Sequence, residues 1–348
     1  MFLYLLGKVN WIRFFRLLRG DAEDVVWLRP GSVPEFLRYL REMHTVIYDL
    51  AVISCLIGAG RPFRLRFGLA AGDLRGKKVH FTLSREFNPL GLADYTKYIF
   101  DAVGRLERGG NTVFPSRAEA LWWENKAYMH ERFAALGIRH PETFIVRKGD
   151  VLPDVKFPVL FKEVHSAGSH GVFKLESAEE LASRVGAAYK GGQDVFLLQK
   201  LVNMRSDLRV IIIGDRIALH YWRKNVSGEW RPTSTGRGSV VDFGNFPERW
   251  RGYILDNFRK LGLRTGAFDI TWENDDISSE PFFLEVSPVY QPNPAPPPGC
   301  ADIPYSDYKK KIFIRESYFV KYIDTIFLLK KELYRVYLAD TAVRRAGE

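Results

Sequence analysis

Residues 157–172 constrain this chain more than any other stretch. Phe157-Pro158-Val159-Leu160-Phe161 is an apolar run that ends in one lysine, Lys162, and leads into Glu163-Val164-His165-Ser166-Ala167-Gly168-Ser169-His170-Gly171 before a second apolar segment at Val172. The pattern reads as a β-hairpin whose connecting loop covers phosphate groups. Gly168 and Gly171 allow close backbone approach, exposed N–H groups around Ser169 form an anion-binding concavity, and Lys162 adds a charge where phosphate oxygens would lie. Taken alone, the same residues also describe a glycine-containing hairpin that binds nothing. His165 and His170 stand in this loop, as phosphate contacts or as solvated side chains.

Further pieces follow in order: Gln199-Lys200-Leu201-Val202, Asp207-Leu208-Arg209, Arg223 at the end of Ala218–Lys224, Asp269, and Glu285-Val286-Ser287-Pro288. Asp207 and Arg209 lie two residues apart and so share one face of a strand. They read either as facing one ligand or as an edge-strand salt bridge worth at most about 1 kcal/mol. Upstream, a helix is expected from Ser116, a capping residue, to Leu136, closed by Gly137, with Lys126 in its middle. By itself Lys126 reads equally well as a solvated helix lysine.

The ordered set, from near Pro115 to Pro294, resembles the ATP-grasp superfamily. Within it, the nearest likeness is to the amino-acid-adding branch that includes ribosomal-protein glutamate ligases and D-alanine–D-alanine ligase. The resemblance implies an α/β (α+β) fold in which two lobes clasp ATP. It implies that Lys126 and Lys162 hold phosphates, helped by Gly168, Ser169 and Gly171 of the loop. Lys200 and Leu201 form the adenine hinge, contacting the base through their backbone, and Asp207 lies on the ribose or metal side. Arg209 and Arg223 stabilise the transferring charge, and Asp269, Glu285 and Ser287 carry Mg²⁺. Two carboxylates suffice for that ion, which keeps phosphate oxygens and waters as its other ligands. Arg231 and Arg237, in a loop that varies within the family, are further candidates.

Two positions depart from the family pattern. Lys200 stands where an acidic residue is usual, and Ser287 stands where asparagine is usual, which puts a second metal and full catalytic competence in doubt. Asn293, in Gln291-Pro292-Asn293-Pro294, is a candidate substitute. Rival motifs fail: Gly72–Lys78 lacks both the spacing and the Ser/Thr of a Walker loop, and no G-x-G-x-x-G opens a helix.

With 348 residues, 46% of them hydrophobic, the chain can fill a substantial core. Its two cysteines, Cys55 and Cys300, lie too far apart to suggest a zinc motif, and a reducing cytoplasm is the expected compartment. The net charge of +10 permits an acidic partner, but no nucleic-acid-reading element accompanies it, so none is expected. The expected organisation is a small α/β domain over 1–115, an ATP-grasp domain over 116–300 and a basic helical tail over 301–348, with no reading for 31–67. In residues 1–20, Lys8, Arg13, Arg16 and Arg19 fall on one side of a helical wheel. The expected role is a helix packed on its own core, with peripheral contact to an anionic membrane, at its inner face, as the alternative.

The leading expectation is therefore an ATP- and Mg²⁺-dependent carboxylate–amine ligase working through an acyl phosphate, with a small-molecule or peptide carboxylate and an amine as substrates. A kinase acting on a sugar or polyol hydroxyl shares the same ATP half. The third reading is a nucleotide-binding scaffold of weakened activity.

Overall fold

The computed structural model describes strands Ala51–Cys55, Arg66–Phe67, Ala70–Ala71 and Lys78–Leu83, residues 96–166 and 168–290, and positions 293, 295, 305 and 307. The expected amphipathic helix of residues 1–20 and most of the basic tail lie outside the described residues. Among the described residues, no helix is long and apolar enough to cross a membrane. The chain divides into two compact units, residues 1–120 with 315–348, and residues 121–314.

In the first unit, β1 (Ala51–Cys55), β4 (Lys78–Leu83) and β5 (Thr112–Phe114) form a parallel sheet in the order β1-β4-β5, and β2 (Arg66–Phe67) pairs with β3 (Ala70–Ala71). Helix α1 (Thr96–Arg108) lies between β4 and β5. The short helix α2 (Arg117–Ala120) begins as a capping box: Ser116 Oγ accepts from Glu119 N, and Glu119 Oε2 accepts from Ser116 N.

The second unit carries two antiparallel sheets. Strands β6 (Thr143–Arg147), β9 (Val195–Lys200), β7 (Val159–Glu163) and β8 (Val172–Leu175) form one, in that order. Period-two alternation makes it two-faced. Val146, Val159, Phe161, Leu175, Phe196 and Leu198 pack with Leu181, Val185 and Ala188 of α4 (Ala178–Lys190), which leaves Leu160, Lys162, Leu197 and Gln199 on the other face. Ser177 caps α4, its side chain accepting from Glu180 N.

The second sheet has the order β12-β11-β10-β13-β14, built from Val240–Asp242, Arg216–Lys224, Ser206–Ile213, Thr265–Thr271 and Phe282–Ser287. One face, with Leu208, Val210, Ile212, Trp222, Phe268, Ile270, Phe283 and Val286, is core. It packs on Met129 and Phe133 of α3 (Lys126–Ala135) and on Ile254 and Phe258 of α5 (Arg251–Lys260), and Phe268 stacks on Phe283 with ring centroids 4.4 Å apart. Removing such a buried ring costs about 3–5 kcal/mol. The other face holds the polar residues of the same strands.

The helix expected from Ser116 to Leu136 is broken into α2 and α3 by a turn over 121–124. Asn125 caps α3, accepting from Tyr128 N at 3.2 Å. Lys126 is therefore a first-turn residue and not a mid-helix one. Gly137, at φ +61°, ends the helix as expected.

Candidate functional site

The polar face of the five-stranded sheet follows from its register. Tyr221 opposes Arg209, Arg209 opposes Asp269, and Asp269 opposes Glu285, so the four side chains form a row across β11, β10, β13 and β14. Asp207 and Arg223 oppose each other one step along. A bulge keeps this row intact. Asp269 pairs with Glu285 and Ile270 with Phe283, so Leu284 is an extra residue, and both Glu285 and Phe283 reach their proper faces.

Within the row the charges alternate. Arg223 grips Asp207 through two hydrogen bonds and also donates from Nη2 to Asp269 Oδ2 at 2.9 Å. Arg209 donates from Nε and Nη2 to the two oxygens of Asp269, at 2.8 and 2.9 Å. Asp207 and Arg209 are thus not paired with each other, and each finds its partner on a neighbouring strand. Burial works against ionisation of Asp269, yet Arg209 and Arg223 outweigh it and hold the carboxyl below its ordinary value. For Asp207 burial is the stronger influence and pushes the carboxyl up against the pull of Arg223.

The lysines converge from the other side. Lys126 is buried, and its Nζ donates to Ser166 O at 2.5 Å and lies 4.0 Å from Glu285 Oε1. Lys162 ends β7 on the face away from α4. Burial lowers its pKa to about 8; Glu285 and Asp269 raise it and Lys126 lowers it, so these four groups share one electrostatic neighbourhood. The Lys162 amine has no hydrogen-bond or ion-pair partner among the described residues.

The loop after β7 is anchored at its start, where Lys126 N donates to Val164 O and the His165 ring contacts Glu124 O at 3.0 Å. His165 therefore ties the loop to the turn before α3. Gly168 and Ser169 are both left-handed, at φ +64° and +62°. At Gly171 the constraint is space: an added Cβ would lie 2.6 Å from Ser166 Oγ and 2.7 Å from Glu163 Cβ. Gly171→Ala is accordingly expected to displace the loop, costing about 1–3 kcal/mol and weakening nucleotide binding. Thermal melts and a nucleotide titration of the variant check both effects.

The remaining expected residues are placed as follows. Lys200 is exposed at the end of β9, and its N–H donates to Glu142 O at 2.9 Å, which leaves carbonyl groups and the Leu201 N–H for a hinge contact. Ser287 Oγ donates to Val289 O at 2.6 Å. Asn293 is buried at the far end of the row, its Nδ2 donating to Tyr221 OH at 2.8 Å, three strands away from Glu285. Arg231 lies near Glu229 at 3.6 Å, and Arg237 N closes a turn onto Ser234 O.

Among the described residues, no group of three or more His, Cys, Asp or Glu gathers as a metal cage. The donor set still suits Mg²⁺, which needs few protein carboxylates. Asp269 Oδ1 accepts one hydrogen bond and keeps a lone pair free, and Glu285, with a side chain 36% exposed, accepts none among the described residues.

His130 and Gln199 were not singled out by sequence. His130 is buried in α3 one turn from Lys126, and burial, then Lys162, His140 and Lys126, hold its pKa well below the ordinary value. Gln199 is buried one residue before Lys200 and on the Lys162 face. The i, i+4 spacing from Lys126 and the alternation along β9 are the signals that point to them.

No family model and no curated protein matches the sequence. Solved structures do match in fold. The RimK domain ATP-grasp protein of Sphaerobacter thermophilus superposes with a TM-score of 0.51 at 14% identity, over 90% of this chain and 99% of that one. D-alanyl-alanine synthetase A of Vibrio cholerae gives a TM-score of 0.52 at 12% identity, over 87% of this chain and 98% of that one. With two antiparallel sheets and a lysine-bearing loop arranged as in these structures, the chain has the ATP-grasp fold.

Proposed function

We propose that this protein is an ATP-dependent ligase that joins a carboxylate to an amine through an acyl phosphate. The observation that carries the reading is the meeting of Lys126, Lys162, Asp269 and Glu285 beside Arg209 and Arg223 in an ATP-grasp fold. Similarity to a D-alanyl-alanine synthetase, whose name denotes joining two amino acids, supports the choice of ligase over kinase.

In this reading Lys126 and Lys162 hold the phosphates of ATP, with Lys126 exchanging Ser166 for a phosphate oxygen. A substrate carboxylate oxygen attacks the γ-phosphorus, and the bond to ADP breaks. The amine then attacks the acyl carbon, a C–N bond forms, and phosphate leaves with the electron pair as the amine loses a proton. Catalysis of this kind is positioning and charge stabilisation. Arg209 has a side chain 21% exposed against 7% for Arg223, so Arg209 reaches the carboxylate and acyl phosphate while Arg223 positions Asp269. Asp269, Glu285 and Ser287 would hold Mg²⁺, which when bound neutralises charge on the phosphate oxygens.

The test supplies ATP, Mg²⁺ and panels of carboxylates and amines, with hydroxylamine as a trap. Release of ADP and free phosphate that needs a carboxylate, with capture of an acyl hydroxamate, is the expected result. A phosphorylated acceptor without free phosphate overturns it in favour of a kinase. Glu285→Gln is expected to lower turnover by roughly 100-fold or more. Being partly exposed, the same change should leave stability within about 0.5 kcal/mol of wild type, as steady-state assays and melts will read out.

A further inference from the structure

On the Lys162 face of the four-stranded sheet, three side chains form a polar chain whose direction is set by one acceptor. Pro141 O can only accept, so Thr143 Oγ1, at 2.7 Å, gives its proton there. The Thr143 oxygen therefore accepts from Gln199, also at 2.7 Å, which turns Nε2 of the amide towards Thr143. The second amide proton points at His130 Nε2, 3.3 Å away, and that nitrogen must be unprotonated to accept it. The burial and flanking cations that keep His130 neutral are consistent with this assignment. Rotating the amide would sacrifice both bonds, so Oε1 is fixed on the opposite side, where it accepts no hydrogen bond among the described residues.

The surroundings of that oxygen are apolar. Leu160 stands directly across from Gln199 and Leu197 across from Lys162, both buried on the same face, and the chain runs directly on into Lys200 and Leu201. A single oriented acceptor beside an apolar surface is how a site reads one edge of a planar ring.

We infer that Gln199 is the residue that selects the nucleobase, its Oε1 accepting a hydrogen bond from the exocyclic amine of adenine. Guanine presents a carbonyl at the corresponding position and would set acceptor against acceptor. Thr143 and His130 are positioning residues that hold the amide. The inference rests on the ATP reading above and adds to it the group responsible for base choice.

The experiment measures binding of ATP, GTP and purine riboside triphosphate, which lacks the amine, to the full-length chain. Wild type is expected to bind ATP about 5- to 10-fold more tightly than the amine-free analogue, the range for one neutral hydrogen bond. GTP should bind more weakly than either. Gln199→Met should bind ATP and the analogue equally, Gln199→Glu should keep the preference, and Thr143→Val should reduce it by freeing the amide to rotate. A purely structural role would weaken both nucleotides together and leave their ratio unchanged, and that ratio persisting in Gln199→Met overturns the inference. Should Gln199→Met fail to fold, an unchanged ratio in Thr143→Val overturns it equally. A wild type that binds ATP without distinguishing it from the analogue also overturns it, while a wild type that binds no nucleotide overturns the ATP reading itself.

Discussion

Lys162→Met is expected to weaken ATP binding by roughly 10- to 100-fold while raising the melting temperature of the nucleotide-free protein. Both effects have one cause. Burial lowers the Lys162 amine from its ordinary 10.5 to about 8, so the folded state disfavours the charged form. Because the folded value lies below the unfolded one, this penalty is complete below pH 8 and is relieved as pH rises towards 10.5. Methionine removes it, and near neutral pH each kcal/mol regained is worth about 2–4 °C in a chain of this size. Phosphate oxygens reverse the balance by favouring the ammonium form, so the bound pKa exceeds the free one. ATP affinity should therefore be greatest below pH 8 and decline as pH rises through the bound value. Calorimetry at pH 8.5 in two buffers of different ionisation heat should show proton uptake in wild type that Lys162→Met lacks. A variant that melts lower and binds ATP equally well would make Lys162 an ordinary packing residue.

Arg223→Met should be the most destabilising change on the polar face, costing about 3–5 kcal/mol. Arg223 is the bridge between two buried carboxylates, and its loss leaves Asp207 with no charged partner and Asp269 with Arg209 alone. Asp207 would respond by taking up a proton. Its folded pKa, already raised by burial, would then rise further, so the deficit against wild type should narrow as pH falls. Denaturant unfolding at two pH values reads this directly. The double variant Asp207→Leu with Arg223→Met should regain much of the stability, since an apolar pair of similar volume can replace a buried ion pair at little cost. Failure of that rescue would show that the two side chains act independently.

Much of the site was legible because its elements are local. The apolar run before Lys162 and the small residues after it fold as β7, its loop and β8, and the alternation in β10 sends Asp207 and Arg209 to one face. Partner choice was not legible. It depends on cross-strand register, so Asp207 meets Arg223 and Arg209 meets Asp269, sixty positions away. The turn over 121–124 was missed because Leu121-Trp122-Trp123 continue a plausible helix surface, and Trp122 instead joins the core under the five-stranded sheet. The Gln199–His130 contact spans 69 positions, and no local pattern announces it.

The extra residue at Leu284 also sets what kinds of inherited change this protein tolerates. Leu284 is only half-buried, so many side chains could take its place with modest effect. Losing its codon is another matter. The strand would be one residue shorter between Phe283 and Glu285, and side chains on a strand exchange faces with every step. Either Glu285 turns into the aromatic core or Phe283 turns out of it, and in both cases the carboxylate opposite Asp269 is lost. Drift in this segment should therefore proceed by substitution and leave its length untouched, a constraint on chain length at a position that makes no contact with the chemistry.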